Sequence, residues 1–212
     1  MSIPHPVPIY RILHVDNLDT CLKRGALHAP LHTPNDGLPY KVIHNIDIQT
    51  RRRACPIPCG QKGTIHDYVA FYFGARSPML YVLSKGGVPE YKEGQEPIIY
   101  LVTTVGAVVK AGLPFVFSDG HGIATFTEWF DSPGDLDKVD WEAINAHIWV
   151  DTIEDPDLQR RKQSEFLIHT FCPIGLIQQI GVKNNKMEQT VINILNRYNI
   201  QIPVVVHSEW YY

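Results

Sequence analysis

The chain has 212 residues, 44% of them hydrophobic and 19% charged, with a formal net charge of −3. That length supports one well-buried core and is short for two, and the composition is that of a folded soluble protein rather than a disordered one. A charge so close to neutral excludes a global basic field, so any nucleic-acid surface has to be local. The opening "MSIPHPVPIYRILHV" lacks a basic segment followed by a continuous apolar one, and no stretch approaches the roughly 18 apolar residues of a membrane span. Cys21, Cys55, Cys59 and Cys172 are irregularly spaced and suggest no disulfide framework. The expectation is a soluble cytoplasmic protein with reduced thiols and a single domain over residues 1–212, since no repeat or low-complexity linker divides it.

In chain order, "PIYRILHV" (8–15) reads as a strand, followed by a short helix capped by Asp16 or Asn17 and ending near Gly25. Residues 29–64 are rich in proline and glycine and read as a long loop with little regular structure, a kind of segment that often carries function. "DYVAFYF" (67–73) is a strand, and Ser77-Pro78 starts a short helix as cap and first helical residue. "PIIYLVTTV" (97–105) is a strand, "AVVKAGL" a helix ending at Gly112, and "PFVFSDG" a strand again. The stretch from Ile123 to Val150 reads as mostly helical, with Asp140 as a cap, and the acidic "DTIEDPDLQ" as a loop. Then come a strand from Glu165 through Phe171, strand-like "IGLIQQIGVK" and "IPVVVHSEWYY", and between them the amphipathic helix "NKMEQTVINILNRY". Short strands mixed with short helices, without a βαβ rhythm, predict an α+β domain.

Three constellations could carry chemistry. Glu165 opens an apolar strand just after Arg160, Arg161 and Lys162. It reads either as a solvated strand-end carboxylate paired with Arg160 or Arg161, or as a carboxylate that stabilises an oxocarbenium-like centre in glycosyl transfer. Arg51, Arg52 and Arg53 cannot all face one way. They are either a basic loop patch or contacts to phosphate or nucleic acid, for which the planar guanidinium is suited. Among ten histidines, His14, His66 and His121 stand out, the last in a Gly-flanked turn. "CPIPC" has no matching second half, and no zinc site or Gly-rich phosphate loop is expected.

Several blocks, in order, resemble one family: "PIYRILHVDNL", "QTRRR", "HDYVAFYFGARSPMLY", "GQEPIIYLV", "AGLPFVFSDGHG", "DWEAI", "KQSEFLI" and the terminal "WYY". From about residue 6 to the C-terminus the chain is similar to DarT, the bacterial DNA ADP-ribosyltransferase toxins. The resemblance implies an ADP-ribosyltransferase (PARP-like) fold whose small mixed sheets form an NAD+ cleft. It also implies a pentosyltransferase that moves ADP-ribose from NAD+ to a base in single-stranded DNA, thymidine as a rule and guanosine in a related branch. The implied partner is DarG, an antitoxin with a macrodomain, and no membrane or metal enters.

Carried over by position, the family's catalytic glutamate is Glu165 and its catalytic arginine Arg52. An arginine is almost never deprotonated, so Arg52 is expected to orient NAD+ and stabilise a deprotonated base, with Glu165 a proton acceptor. NAD+ contacts fall on Arg11, Ile12, Leu13 and His14, although the family's "Y-H-I-T-H" is "YRILH" here, and on Thr20, His28 and Arg52. The loop from His32 to Ala54 would close over NAD+. Arg51, Arg53 and His121 would meet DNA, with the segment from His121 to Glu165 holding the target-recognition loop. Two other readings stay open. One is a nuclease using His121 or His66 with Glu165, and the other is a non-catalytic single-strand binding module.

Overall fold

The computed structural model describes residues 3–212. Its strands are β1 (Pro8–His14), β2 (Ala26–His28), β3 (Tyr68–Tyr72), β4 (Ile98–Thr104), β5 (Phe115–Ser118), β6 (Trp129–Phe130), β7 (Glu165–His169), β8 (Phe171–Pro173), β9 (Gln179–Val182) and β10 (Val204–Val206). Eight of them form one sheet in the order β10-β9-β4-β1-β3-β7-β5-β6, while β2 and β8 pair as a separate antiparallel ribbon. The helices are α1 (Asp16–Arg24), α2 (Ile46–Ala54), α3 (Pro78–Ser84), α4 (Val105–Lys110), α5 (Trp141–Asn145), α6 (Leu158–Arg161) and α7 (Asn185–Arg197). This is the mixed α+β architecture expected.

The feature that positions everything else is a seam in the large sheet. β1 and β4 stay in register from Pro8↔Thr104 to His14↔Ile98, and β3 and β7 from Tyr68↔His169 to Tyr72↔Glu165. Between β1 and β3 the register holds at one pair, Tyr10↔Tyr72. Beyond it the Arg11 Nη1 donates to the Ala70 carbonyl at 2.8 Å, so a side chain bridges where backbone pairing has lapsed. The sheet is therefore two four-stranded halves with a gap between them.

Strand alternation sends successive side chains to opposite faces. One face carries the main core, with Ile9, Leu13, Ile99, Leu101, Val69, Phe71, Phe166 and Ile168 packed against Leu18 and Leu22 of α1 and Val191 and Leu195 of α7. The other face carries two smaller clusters. One gathers Ile12, Ile98, Tyr100, Leu80 and Leu83, and the other Ile57, Ile65, Tyr68, Val116 and Leu167. Glu165, two residues before Leu167, shares its face.

Four expectations need correction. α1 leaves β1 directly through Val15, whose backbone is already helical, so neither Asp16 nor Asn17 caps it. Asp16 instead sits in the first turn, where a carboxylate suits the helix dipole. The long loop contains the nine-residue α2, capped by Asn45, whose side chain accepts from the N–H groups of Asp47 and Ile48 at 2.9 and 3.2 Å. The stretch from Ile123 to Val150 is mostly not helical. Pro133 and Gly134 interrupt it, and it forms β6, a 3-10 turn over Pro133–Lys138 and only the short α5, which Asp140 does cap. The strand from Glu165 also ends early, at His169. Thr170 adopts φ +60°, unusual for a β-branched residue, and turns the chain into the ribbon.

Candidate active site

α2 presents Asn45, Ile48, Gln49 and Arg52, spaced i, i+3, i+4 and i+7, to a cavity of about 580 Å3 at the seam. Arg51 and Arg53 point to solvent, so Arg52 is the inward member of the trio. Its Nη1 and Nη2 donate to Glu165 Oε1 and Oε2 at 2.8 and 2.6 Å, a bidentate pair that is almost fully buried (Glu165 2% exposed, Arg52 9%). The local partners suggested by the sequence are engaged elsewhere. Arg160 pairs with Asp119 and Asp157, Arg161 with Asp140 and Asp155, and the Lys162 ammonium donates to the Ile144 carbonyl.

Glu165 is fixed from its own backbone as well. Its N–H donates to Ser118 Oγ at 3.2 Å, and that hydroxyl donates to the Gly120 carbonyl at 2.7 Å. The Gly122 N–H donates to Oε1 at 3.3 Å. Any larger residue at 122 would place a Cβ 2.9 Å from Ile65 Cδ1 and 3.2 Å from Oε1, so a side chain here would crowd both Ile65 and the carboxylate.

The charge states follow from this geometry. Burial alone would push the Glu165 carboxyl up, but the charge and hydrogen bonds of Arg52 outweigh it and hold it below its ordinary value. Arg52 is the mirror case, since burial works against its charge and Glu165 restores it with a net upward shift. Burial lowers His121, and Glu165 only partly opposes this. Burial, with the charges of Arg52 and Arg53 behind it, lowers His66 as well. Near neutral pH the site therefore holds an anion and a cation flanked by neutral imidazoles.

A family model described as ssDNA thymidine ADP-ribosyltransferase, DarT, matches residues 10–212. The chain belongs to the DarT family. A DNA ADP-ribosyl transferase of Thermus sp. (strain 2.9) is 42% identical over 213 residues, spanning 100% of this chain and 99% of that protein. The solved structure of Thermus sp. 2.9 DarT in complex with ADP-ribosylated ssDNA superposes with a TM-score of 0.94 at 40% identity, over 100% of this chain and 99% of that one. The same Thermus protein in complex with NAD+ superposes at 0.88, 38% identical, over the whole of both chains.

Seen as a DarT-family site, the cavity gathers most of the residues named from the sequence. Arg11, Ile12, Leu13, His28, Arg52, His121 and Glu165 all line it. His14 and Thr20 do not. The His14 ring is buried against Tyr91, accepts the Asp16 N–H on Nδ1 at 3.1 Å and so donates from Nε2 to Glu93 at 3.2 Å. Thr20 Oγ1 donates to the Pro39 carbonyl at 2.8 Å. Both stand one layer back, and Thr20 helps to pin the loop that lines the cavity from Tyr40 to Asn45.

Asn17 pins the same loop harder. Its Nδ2 donates to the Lys41 carbonyl at 2.8 Å and its Oδ1 accepts the Lys41 N–H at 2.6 Å, while Arg24 holds Asp36 with two bonds of 2.7 and 2.8 Å. Residues not anticipated in the lining include Tyr40, His44, Gln49, Tyr72 and Gln163. Tyr72 could have been found, since it is the aromatic end of β3 and stands opposite Glu165 in the ladder. His44 and Gln49 carried no sequence signal, because the helix that aims Gln49 inward was not legible. Among the described residues no cluster of three or more His, Cys, Asp or Glu is placed to hold a metal ion, and all four cysteines are free thiols.

Proposed function

We propose that this chain transfers ADP-ribose from NAD+ to a thymidine base in single-stranded DNA, with Glu165 and Arg52 as its catalytic pair. The observation that carries the residue assignment is the buried bidentate contact between them at the base of a cavity whose volume is in the ordinary range for small-molecule sites.

When the bond between the nicotinamide and its ribose breaks, the bonding electrons leave with the nicotinamide nitrogen and positive charge develops on the ribose. A carboxylate already ionised and fixed in a dry site stabilises that charge without reorganising. An ionised carboxylate has about four acceptor sites. Arg52 uses two and the Gly122 N–H a third, on Oε1, which leaves Oε2 with capacity for a ribose hydroxyl. Arg52 keeps Glu165 ionised and aimed, and its charge suits a target base that has lost its proton. Arg11, Ile12, Leu13 and His28 then hold NAD+ along β1 and the ribbon, and Arg51, Arg53 and His121 meet the DNA.

The nuclease reading needs one group of the pair to carry a proton at neutral pH. Here Glu165 is held below and the histidines are lowered, so neither is an acid. The reading extends to a DarG-type macrodomain antitoxin as partner and to the bacterial cytoplasm as location. No described helix is long and apolar enough to cross a membrane.

The test is to incubate the protein with NAD+ and a mixed-sequence oligonucleotide and weigh the DNA. An added ADP-ribose mass on thymidine, lost in Glu165→Gln, supports the reading. Shortened or unchanged DNA overturns it.

A further inference from the structure

A second cavity, of about 530 Å3, lies at the paired end of the seam beside Tyr10 and shares no lining residue with the first. Two cations face it, Arg76 and Lys162. Lys162 is 5% exposed, and among the described residues its ammonium donates to the Ile144 carbonyl alone. The Arg76 guanidinium carbon lies 4.4 Å from the centroid of the Tyr212 ring, and its buried Nε has no hydrogen-bond partner among the described residues. Among the described residues no carboxylate pairs with either. The one carboxylate in the lining, Glu209, is mostly exposed and accepts from His207 Nδ1 at 2.7 Å.

Burying cations without a counter-charge is expensive and is ordinarily avoided by pairing. Burial, with the Arg76 charge adding to it, brings the Lys162 ammonium down to about 8. The buried Lys162 and the half-buried Arg76 thus give this pocket a positive charge that no carboxylate of the described residues neutralises.

Its position says which anion. Lys162 precedes Glu165 by three residues, and Arg76 follows Tyr72, the ladder partner of Glu165, by four. Both come from blocks prominent in the sequence, "RSPMLY" and "KQSEFLI", whose cations the nucleotide cavity leaves unused. We infer that Arg76 and Lys162 seat a backbone phosphate of the DNA strand next to the target nucleotide, and so set how the base is delivered to Glu165. The inference rests on the transferase reading. On that reading a single strand lies at Glu165, and one of its phosphates would give an acceptor to the unpartnered Arg76 Nε and a counter-charge to the Lys162 ammonium, whose bond to Ile144 uses one of its three donors.

The experiment compares the wild type with Arg76→Gln, Arg76→Lys and Lys162→Met on an oligonucleotide that the wild type modifies, after thermal melts show which variants fold. Each lost phosphate contact lowers the salt slope of single-strand binding by about 0.7, or about fivefold in affinity at 0.1 M salt. Arg76→Gln should raise the KM for the oligonucleotide by that factor, leave NAD+ affinity unchanged, and be largely rescued by Arg76→Lys. Replacing one linkage at a time with uncharged methylphosphonate should reveal a single position that costs the wild type about fivefold and costs Arg76→Gln, which keeps only the Lys162 contact, clearly less. Wild-type transfer with no such position, or with losses that add fully in Arg76→Gln, overturns the inference alone. A protein that needs the pocket for an acidic protein partner would give that second result. No transfer by the wild type at all overturns the transferase reading, and the inference with it.

Discussion

Replacing Glu165 by glutamine keeps the side-chain volume but removes the charge that neutralises Arg52. In the wild type two charge-assisted bonds of 2.8 and 2.6 Å hold the pair, and both partners are almost fully buried. The amide offers one acceptor in place of two, and its NH2 group faces the guanidinium donors. Breaking a buried pair by removing one partner costs about 3–5 kcal/mol. For a chain of this length that lowers Tm by roughly 6–20 °C. Catalysis falls for a separate reason, by about 10²–10³ in kcat, the usual loss for one preorganised electrostatic contact. Replacing both partners, as in Arg52→Met with Glu165→Leu, should recover most of the stability and none of the activity, because no orphaned charge is left behind. Thermal melts of Glu165→Gln, of the single variants Arg52→Met and Glu165→Leu and of the double variant, with transfer measured alongside, decide the matter. A Glu165→Gln variant melting within a degree or two of the wild type would falsify the dry ion pair. So would a double variant less stable than either single one.

Four further outcomes follow from the same geometry. Because Glu165 is depressed in the folded state, its contribution to stability is complete above its ordinary value of 4.5 and is lost as the pH falls through the lower folded value; the wild type should lose this increment on acid titration and Glu165→Gln should not. Arg52→Lys keeps the charge but not the fork, so transfer should drop by about 10²-fold from misplacement of Glu165, and a full rate would sink the assigned role. Asn17→Ala removes both bonds to the Lys41 backbone, worth about 2 kcal/mol together, so NAD+ affinity should weaken by up to roughly 30-fold with kcat little changed. His121 is lowered from 6.5 by burial, so the transfer rate should fall only as the pH drops below that value, and this limb should be missing in His121→Asn.

Much of the fold could be read from the chain because its strands are apolar and its helix ends carry strong caps. Ser77, Asp140 and the amphipathic α7 were found that way. α2 escaped because the face it turns inward is polar, and Asn45, Gln49 and Arg52 make no hydrophobic period. Glu165 was conspicuous as a carboxylate at the head of an apolar strand. Its partner was not, since Arg52 lies 113 residues away while Arg160 and Arg161 stand close by in sequence. Those two are taken by nearby aspartates, a competition that composition does not reveal. The seam was equally hidden, because each strand beside it looks ordinary and only their register shows the gap.

That seam also limits how the enzyme can move. In chain order the strands pass from one half of the sheet to the other between β1 and β3, back between β3 and β4, over again between β4 and β5, and back between β7 and β9. Four covalent crossings lace the halves together, so the cleft cannot gape like a two-domain enzyme swinging on one linker. The loop that Asn17, Thr20 and Arg24 fasten down lines the cavity from Tyr40 to His44, which makes those three fastenings the latch of the molecule. A binder that clamped residues 33–44 in place would lock substrate out, or product in, without touching Glu165.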